Sequence, residues 1–239
     1  MAELLRTEGL TKSFRGLIAN RDINWSIDAG EIRCIIGPNG AGKTTFVSMI
    51  SGHQQPSSGR ILYDGNDITG LPVYRVARMG ILRKFQTPTV FNNLTVFENV
   101  ELAVLATPAA PDQRKKRILR TLEQVRLDGV ANKLVVTLSH GQRQWLEIGM
   151  LLASDARLVL LDEPTAGMTA EETHLTGELI RHLVDGLGLS AIIIEHDINF
   201  IRELEAPVTV LHLGQILAHG TFAEIEHNAE VRAVYLGNA

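Results

Sequence analysis

In the stretch Gly37-Pro38-Asn39-Gly40-Ala41-Gly42-Lys43-Thr44-Thr45, the first eight residues fit the pattern G-x-x-x-x-G-K-[ST]. In that pattern glycines fold the backbone tightly around phosphate oxygens, the lysine reaches the β/γ-phosphates and the hydroxyl ligates Mg²⁺. Lys43 and Thr44 take those two roles here, and Gly37, Asn39, Gly40, Ala41, Gly42 and Thr45 complete the candidate nucleotide-contacting set. A second chemical unit is Asp162-Glu163, where a short apolar run ends. Asp162 is suited to hold Mg²⁺ through water, and Glu163 to act as the general base that polarises an attacking water. His196 also follows an apolar run and can donate to a γ-phosphate, although a histidine of this kind is also at home in an ordinary loop. Gln86, at another strand end, offers an amide oxygen to Mg²⁺ or water. Ser139 and Gly141 form a Ser-x-Gly turn, and Ser139 has capping-box spacing to Gln142. Such a turn is either a well-started helix or an anion site in its own right. A chain with a complete phosphate loop needs no second one for the same phosphate, so the turn can serve a nucleotide held by another subunit. Phe14 can stack on an adenine ring or pack in the core.

These residues need a scaffold, and the sequence pattern supplies one. Glu31 to Ile36 reads as a buried strand feeding the phosphate loop, and Thr45 to Ile50 as the start of the following helix. Leu4–Leu10, Ile23–Ile27 and Arg60–Gly65 read as strands, the last entering a turn, which makes the first 65 residues strand-rich. Pro72–Met79 reads as a short helix and Ile81–Phe85 as a strand running into Gln86. Residues 87–152 read as an inserted helical subdomain. It begins with the turn-like Thr87-Pro88-Thr89-Val90-Phe91 and continues with a helix over 96–105 capped by Thr95 and Glu98. A linker over 107–111, a helix over 112–125 and a helix over 142–152 follow. Leu158–Leu161 and Ser190–Ile194 are apolar runs flanking a helix over 170–187, a pattern that predicts a parallel sheet covered on both faces. A hairpin over 208–218 and short helices over 222–227 and 230–236 close the chain. Residues 1–86 and 153–239 thus form a nucleotide-binding core with a β subdomain.

Composition narrows the classes of function. The 239 residues carry a net charge of −4, with no global basic field, so no nucleic acid is expected as a partner. The single cysteine, Cys34, excludes an intrachain disulfide and reads as a small core residue. No stretch matches a membrane span, and the N-terminus lacks a signal peptide's apolar region, so any membrane association is expected through a partner. The basic run Arg114-Lys115-Lys116-Arg117 reads as a solvated helix face.

Taken together and in order, these motifs resemble the nucleotide-binding subunit of an ABC transporter over nearly the whole chain. Gly37–Thr45 resembles the Walker A loop, Gln86 the Q-loop glutamine, Leu138–Gln144 the signature motif, Leu158–Glu163 the Walker B strand with its catalytic glutamate, and His196 the switch histidine. Phe14 stands at the position of the adenine-stacking aromatic. The resemblance implies an α/β P-loop NTPase cassette with a mixed or parallel core sheet, an N-terminal antiparallel β subdomain and an inserted α-helical subdomain. It implies ATP and Mg²⁺, with Gln86, Glu163 and His196 around the reacting phosphate. It also implies a homodimer, or a heterodimer with a homologous ATPase subunit, that sandwiches two ATP molecules. Each nucleotide then lies between one Walker A loop and the other subunit's Ser139, Gly141 and Gln142. Two permease subunits, and a periplasmic or extracellular solute-binding protein, would keep the chain peripheral at the cytoplasmic face of the membrane.

A narrower resemblance rests on Arg83–Val96 and Glu230–Gly237, which look like the branched-chain amino-acid and amide uptake branch. Ser139-His140-Gly141-Gln142, Gln144–Met150 and Ala166–Thr169 look most like its urea-type members. Two positions depart from the usual pattern. His140 replaces the signature's second glycine, and Thr169 stands where the D-loop usually carries aspartate, although Thr169 and Glu172 keep capping-box spacing. Alternatives are a lipopolysaccharide-type exporter ATPase, a soluble ABC ATPase, and a non-enzymatic nucleotide sensor, the last disfavoured by Glu163 and His196.

Overall fold

The computed structural model describes residues 2–84 and 90–236. The Gln86 assignment and most of the turn that follows it therefore lie outside the described residues. The chain opens on a long hairpin of β1 (Glu3–Phe14) and β2 (Leu17–Asp28). Both strands run further than their apolar cores suggest, because the register passes through irregularities at Thr7/Leu10 and Lys12/Ser13 that interrupt the alternation of apolar residues. Arg15 and Gly16 turn the hairpin, both with positive φ.

β3 (Ile32–Ile36) then enters the phosphate loop, and α1 (Lys43–Ile50) leaves it. The helix starts at Lys43, earlier than the apolar pattern suggests, because Gly42 in the left-handed region (φ 99°) lets the loop turn directly into it. β4 (Ser58–Tyr63), β5 (Asn66–Asp67), α2 (Val73–Arg78) and β6 (Ile81–Lys84) follow. The helical stretch contains α3 (Val96–Leu105), α4 (Pro111–Gln124) and α5 (His140–Ala153). β7 (Leu158–Asp162), α6 (Ala170–Leu187), β8 (Ser190–Ile194), α7 (Ile198–Glu203), β9 (Val208–His212) and β10 (Gln215–Gly220) complete the core. α8 (Phe222–His227), α9 (Ala229–Val231) and a single wide turn over Arg232–Leu236 end the described chain.

Among the described residues the strands form two sheets. One is antiparallel, in the order β2-β1-β4-β5; the other runs β10-β9-β3-β8-β7-β6 and is parallel except at the β9–β10 edge. The parallel sheet is buried on both faces, as its continuous apolar strands require. Along β3, Ile32, Cys34 and Ile36 join the cluster under the helices, while Ile35 joins the cluster under the antiparallel sheet. β7 divides the same way, with Val159 and Leu161 on the helix side and Leu158 and Leu160 opposite. Burial pushes the Cys34 thiol up to about 12, and the Glu195 carboxylate adds to the effect. Cys34 is thus an inert core residue.

Two buried indole bonds tie the layers together. Trp25 Nε1 donates to Thr209 Oγ1 (2.9 Å) across the sheets, and Trp145 Nε1 donates to Thr176 Oγ1 (2.9 Å) between α5 and α6. The net effect is that the C-terminal ends of β3, β7 and β8 lie side by side, the edge at which open α/β sheets bind ligands.

Candidate functional site

That edge holds a cavity of about 310 Å³, lined by Ala19, Asn39, Gly40, Ala41, Gly42, Lys43, Thr44, Thr45, Asp162, Glu163, Ile194 and His196. The loop's tightness is steric. A Cβ on Gly37 would lie 2.0 Å from the Leu211 carbonyl oxygen, and one on Gly42 would lie 2.4 Å from that of Ala19. Both positions also have positive φ, so only glycine fits either. Lys43 Nζ donates to the carbonyls of Gly37 (2.6 Å) and Pro38 (3.1 Å), which aims the ammonium along the inside of the loop. Burial pushes this ammonium below the usual lysine range, and the carboxylates of Glu163 and Asp162 offset part of the effect. A buried cation faced by two carboxylates is a receptor for an anion that brings its own counter-ion.

β7 delivers Asp162 and Glu163 to this cavity in different directions. Asp162 is buried and accepts from Arg83 Nη2 at 3.0 Å. The same guanidinium donates through Nη1 to Ser48 Oγ (2.7 Å), which donates to the Thr44 carbonyl (2.6 Å). A continuous polar chain therefore joins the β7 carboxylate to the first turn of α1. Glu163 sits in the left-handed region (φ 49°), which costs on the order of 1 kcal/mol for a non-glycine residue. Its N–H donates to the Ile194 carbonyl (2.8 Å), which holds that backbone in place. The outcome is a half-exposed carboxylate turned towards β8, with His196 Nε2 3.4 Å from Glu163 Oε1.

Glu195 directly follows β8. It is buried, and its Oε2 accepts the N–H groups of His196 (2.8 Å) and Asp197 (3.4 Å). Its other oxygen accepts the Thr165 N–H (3.0 Å) and the Thr165 hydroxyl. One carboxylate thus locks the loop after β7 to the loop after β8. Tyr235 lies against the phosphate loop: burial raises its phenol, and the Gly37 backbone beside it offsets part of the effect. Glu195 stands next to His196 and Arg83 three residues before Gln86, so sequence position hints at both, whereas Tyr235 carries no such signal.

Apart from Gly37 at the start of the loop, two groups of candidates lie outside the cavity lining. Phe14, at the tip of the first hairpin, is 40% exposed, with Lys12 Nζ 4.8 Å from its ring centroid. It is therefore not a core residue, and the Lys12 ammonium lies over one face of its ring. Ser139, Gly141 and Gln142 open α5. Ser139 Oγ accepts the Gln142 N–H (3.2 Å), and Gln142 Oε1 accepts the Ser139 N–H (3.2 Å), so the capping box is present. His140 Nε2 donates to the Ala166 carbonyl (2.8 Å), so the histidine ties this turn to the segment after Glu163. Among the described residues no cluster of three or more His, Cys, Asp or Glu side chains forms a metal centre. The Thr44 hydroxyl and Asp162 carboxylate in one cavity do give an oxygen donor pair of the kind Mg²⁺ takes alongside water and phosphate.

Comparison with known proteins supplies the relatives. A family profile described as "ABC transporter" matches residues 20–166, and one described as "Branched-chain amino acid ATP-binding cassette transporter" matches residues 215–239. The chain is 34% identical to the high-affinity branched-chain amino acid transport ATP-binding protein BraF of Pseudomonas aeruginosa, over 99% of this chain and 98% of that one. It is 37% identical to the lipopolysaccharide export system ATP-binding protein LptB of Acidithiobacillus ferridurans, over 100% of this chain and 98% of that one. Among solved structures, the ADP conformation of MJ1267, an ATP-binding cassette of an ABC transporter, superposes with a TM-score of 0.89 at 27% identity and full coverage of both chains. A dimeric post-hydrolysis state of the ATP-binding cassette MJ0796 bound to ADP and Pi superposes with a TM-score of 0.79 at 26% identity, over 92% of this chain and 99% of that one.

Proposed function

The chain belongs to the ABC transporter family of ATP-binding subunits, and from that premise we propose that it powers an importer for a small polar solute by ATP-driven closure of a cassette dimer. The observation that carries the reading is the cavity that gathers Lys43, Thr44, Asp162, Glu163 and His196 on one sheet edge, while the Ser139–Gln142 turn lies outside it. A site divided in this way is completed by a second copy or by a homologous subunit, and the dimeric MJ0796 cassette is an assembly of the right kind. Lys43 and the loop N–H groups hold the β/γ-phosphates. Thr44 and Asp162, together with Gln86, would hold Mg²⁺, which when bound offsets phosphate charge. Glu163 takes a proton from water, and His196 keeps that water and the γ-phosphate in line. Phe14 stacks on the adenine. Residues 1–86 and 153–239 then act as the nucleotide-binding body, and residues 87–152 as the helical body that carries the signature turn.

Among the described residues no helix is long and apolar enough to cross a membrane. We assign membrane association to two permease subunits, and delivery of solute to a separate binding protein. The branch rests on the match of residues 215–239 and on BraF, both named for branched-chain amino acids, and import is our reading of that branch. Urea or another amide is the finer alternative within this branch. The LptB relative keeps an exporter as the second reading.

Two measurements test this. In a complex with its membrane subunits, ATPase activity should rise several-fold with urea or a branched-chain amino acid; stimulation by lipopolysaccharide alone would move the chain to the exporter reading. Mixing Ser139→Arg and Lys43→Ala subunits should recover activity that both homodimers lack, because one combination restores an intact shared site. A mixture as inactive as either parent would argue against the divided site.

A further inference from the structure

The signature turn is already engaged by an anion of its own chain. Glu172 Oε1 accepts the Ser139 hydroxyl at 2.9 Å and the Gly141 N–H at 3.2 Å. Its second oxygen, Oε2, accepts the Thr169 N–H at 3.2 Å and the Thr169 hydroxyl at 3.4 Å, which is the ordinary capping box of α6. One carboxylate therefore sits between the starts of two helices, where both dipoles favour negative charge. Capping α6 needs only Oε2; nothing in that box requires the bonds to α5. Gly141 belongs to the same arrangement, since a Cβ there would come 2.9 Å from Glu172 Oε1. The glycine leaves room for an anionic oxygen to approach the N–H, and Glu172 fills that room. The hydrogen bonds from Thr169 and then from Ser139 hold the Glu172 carboxyl below the usual range, so it carries full charge at neutral pH.

We propose that Glu172 is a built-in competitor for the signature turn: its carboxylate occupies the Ser139 and Gly141 donors, and the γ-phosphate of a nucleotide on the second subunit must displace it for the dimer to close. The proposal rests on the divided-site reading above. Two anions cannot share the same two donors, so the incoming phosphate meets both a taken site and a like charge. Glu172 can give up Oε1 while Oε2 remains on Thr169, so the exchange leaves the start of α6 intact. A chain that holds its own turn closed in this way raises the ATP concentration needed for closure without touching the phosphate loop.

The test uses the Glu163→Gln background, at fixed protein concentration, and reads the ATP concentration that gives half-maximal dimer by light scattering. Adding Glu172→Gln should lower that concentration about tenfold, the change expected if the carboxylate holds the turn in about nine molecules out of ten. Affinity of the dilute monomer for a fluorescent ATP analogue should not change. Glu172→Asp, too short to span both helix starts, should act in the same direction and serves if the glutamine variant folds poorly. Thr169→Ala weakens the same helix cap but keeps the carboxylate on Ser139, so it should not lower the ATP requirement. An unchanged or raised requirement in a folded Glu172 variant overturns the proposal, as does an equal lowering by Thr169→Ala. Ser139→Arg in the same background separates the two ideas. If it dimerises at the unaltered ATP concentration, the divided-site reading itself fails; if it does not, a negative result at Glu172 counts against the competitor alone.

Discussion

Replacing Glu163 by glutamine lowers ATP turnover by about a hundred- to ten-thousandfold, the range a positioned general base supplies, and leaves ATP binding intact. The geometry makes the two effects separable. Glutamine has the shape of glutamate but cannot accept a proton from water. The contacts that hold the loop, from Lys43 Nζ to Gly37 and Pro38, do not pass through residue 163. The backbone at 163 is held by its bond to Ile194 whatever the side chain, so the strained turn is retained. His196 Nε2, 3.4 Å from Glu163 Oε1, keeps an amide oxygen as its neighbour. With binding kept and hydrolysis removed, ATP should accumulate a dimer that the unaltered protein forms only transiently. Steady-state phosphate release and size-exclusion chromatography with ATP read the two outcomes. Normal turnover in the folded variant would remove Glu163 from the role of base.

The parts of this site written into short stretches of chain are legible without any fold. In Gly37–Thr45 the spacing of the glycines and the lysine is itself the signal, although the Leu211 and Ala19 carbonyls that demand glycine at 37 and 42 are not visible in it. Asp162-Glu163 and His196 are legible because apolar strands stop just before them. Residues whose meaning comes from a distant partner are not. Ser139 and Glu172 are 33 residues apart, Thr165 and Glu195 are 30, and Arg83 and Asp162 are 79. Capping-box spacing identifies Glu172 as a helix start and conceals its second bond, since the local pattern accounts for the residue completely. Strand ends fail for a related reason. Bulges along β1 and β2 shift which residues face the core, so period-two alternation lapses while the hydrogen-bonded ladder continues. The short helix over Ile198–Glu203 is hidden because its start is set by Asp197, whose side chain accepts from Asn199 and Phe200, inside a loop whose histidine carries the stronger signal.

Removing the Glu147 carboxylate should cost the fold a large share of its stability. Lys84 Nζ lies 3.5 Å from Glu147 Oε2, and the two side chains are 2% and 3% exposed. The pair joins the last residue of β6 to the middle of α5, so an edge of the core sheet is fixed to the helix that begins at the Ser139 turn. Glu147→Ala leaves a buried ammonium without this carboxylate and should cost about 3–5 kcal/mol. Replacing both partners with apolar residues of similar size, Lys84→Met with Glu147→Leu, should restore most of that loss, because the charges' desolvation cost leaves with them. Urea unfolding followed by fluorescence reads the difference, and Trp145, on the same helix as Glu147, reports it directly. A loss under about 1 kcal/mol, the ordinary value of an exposed pair, would mean that the pair is solvated in solution. ATP affinity at the phosphate loop should be unchanged in the double variant, since neither residue lines that cavity. A double variant that regains stability but needs more ATP to form the Glu163→Gln dimer would show that this buried charge pair sets where the signature helix stands, beyond holding the fold together.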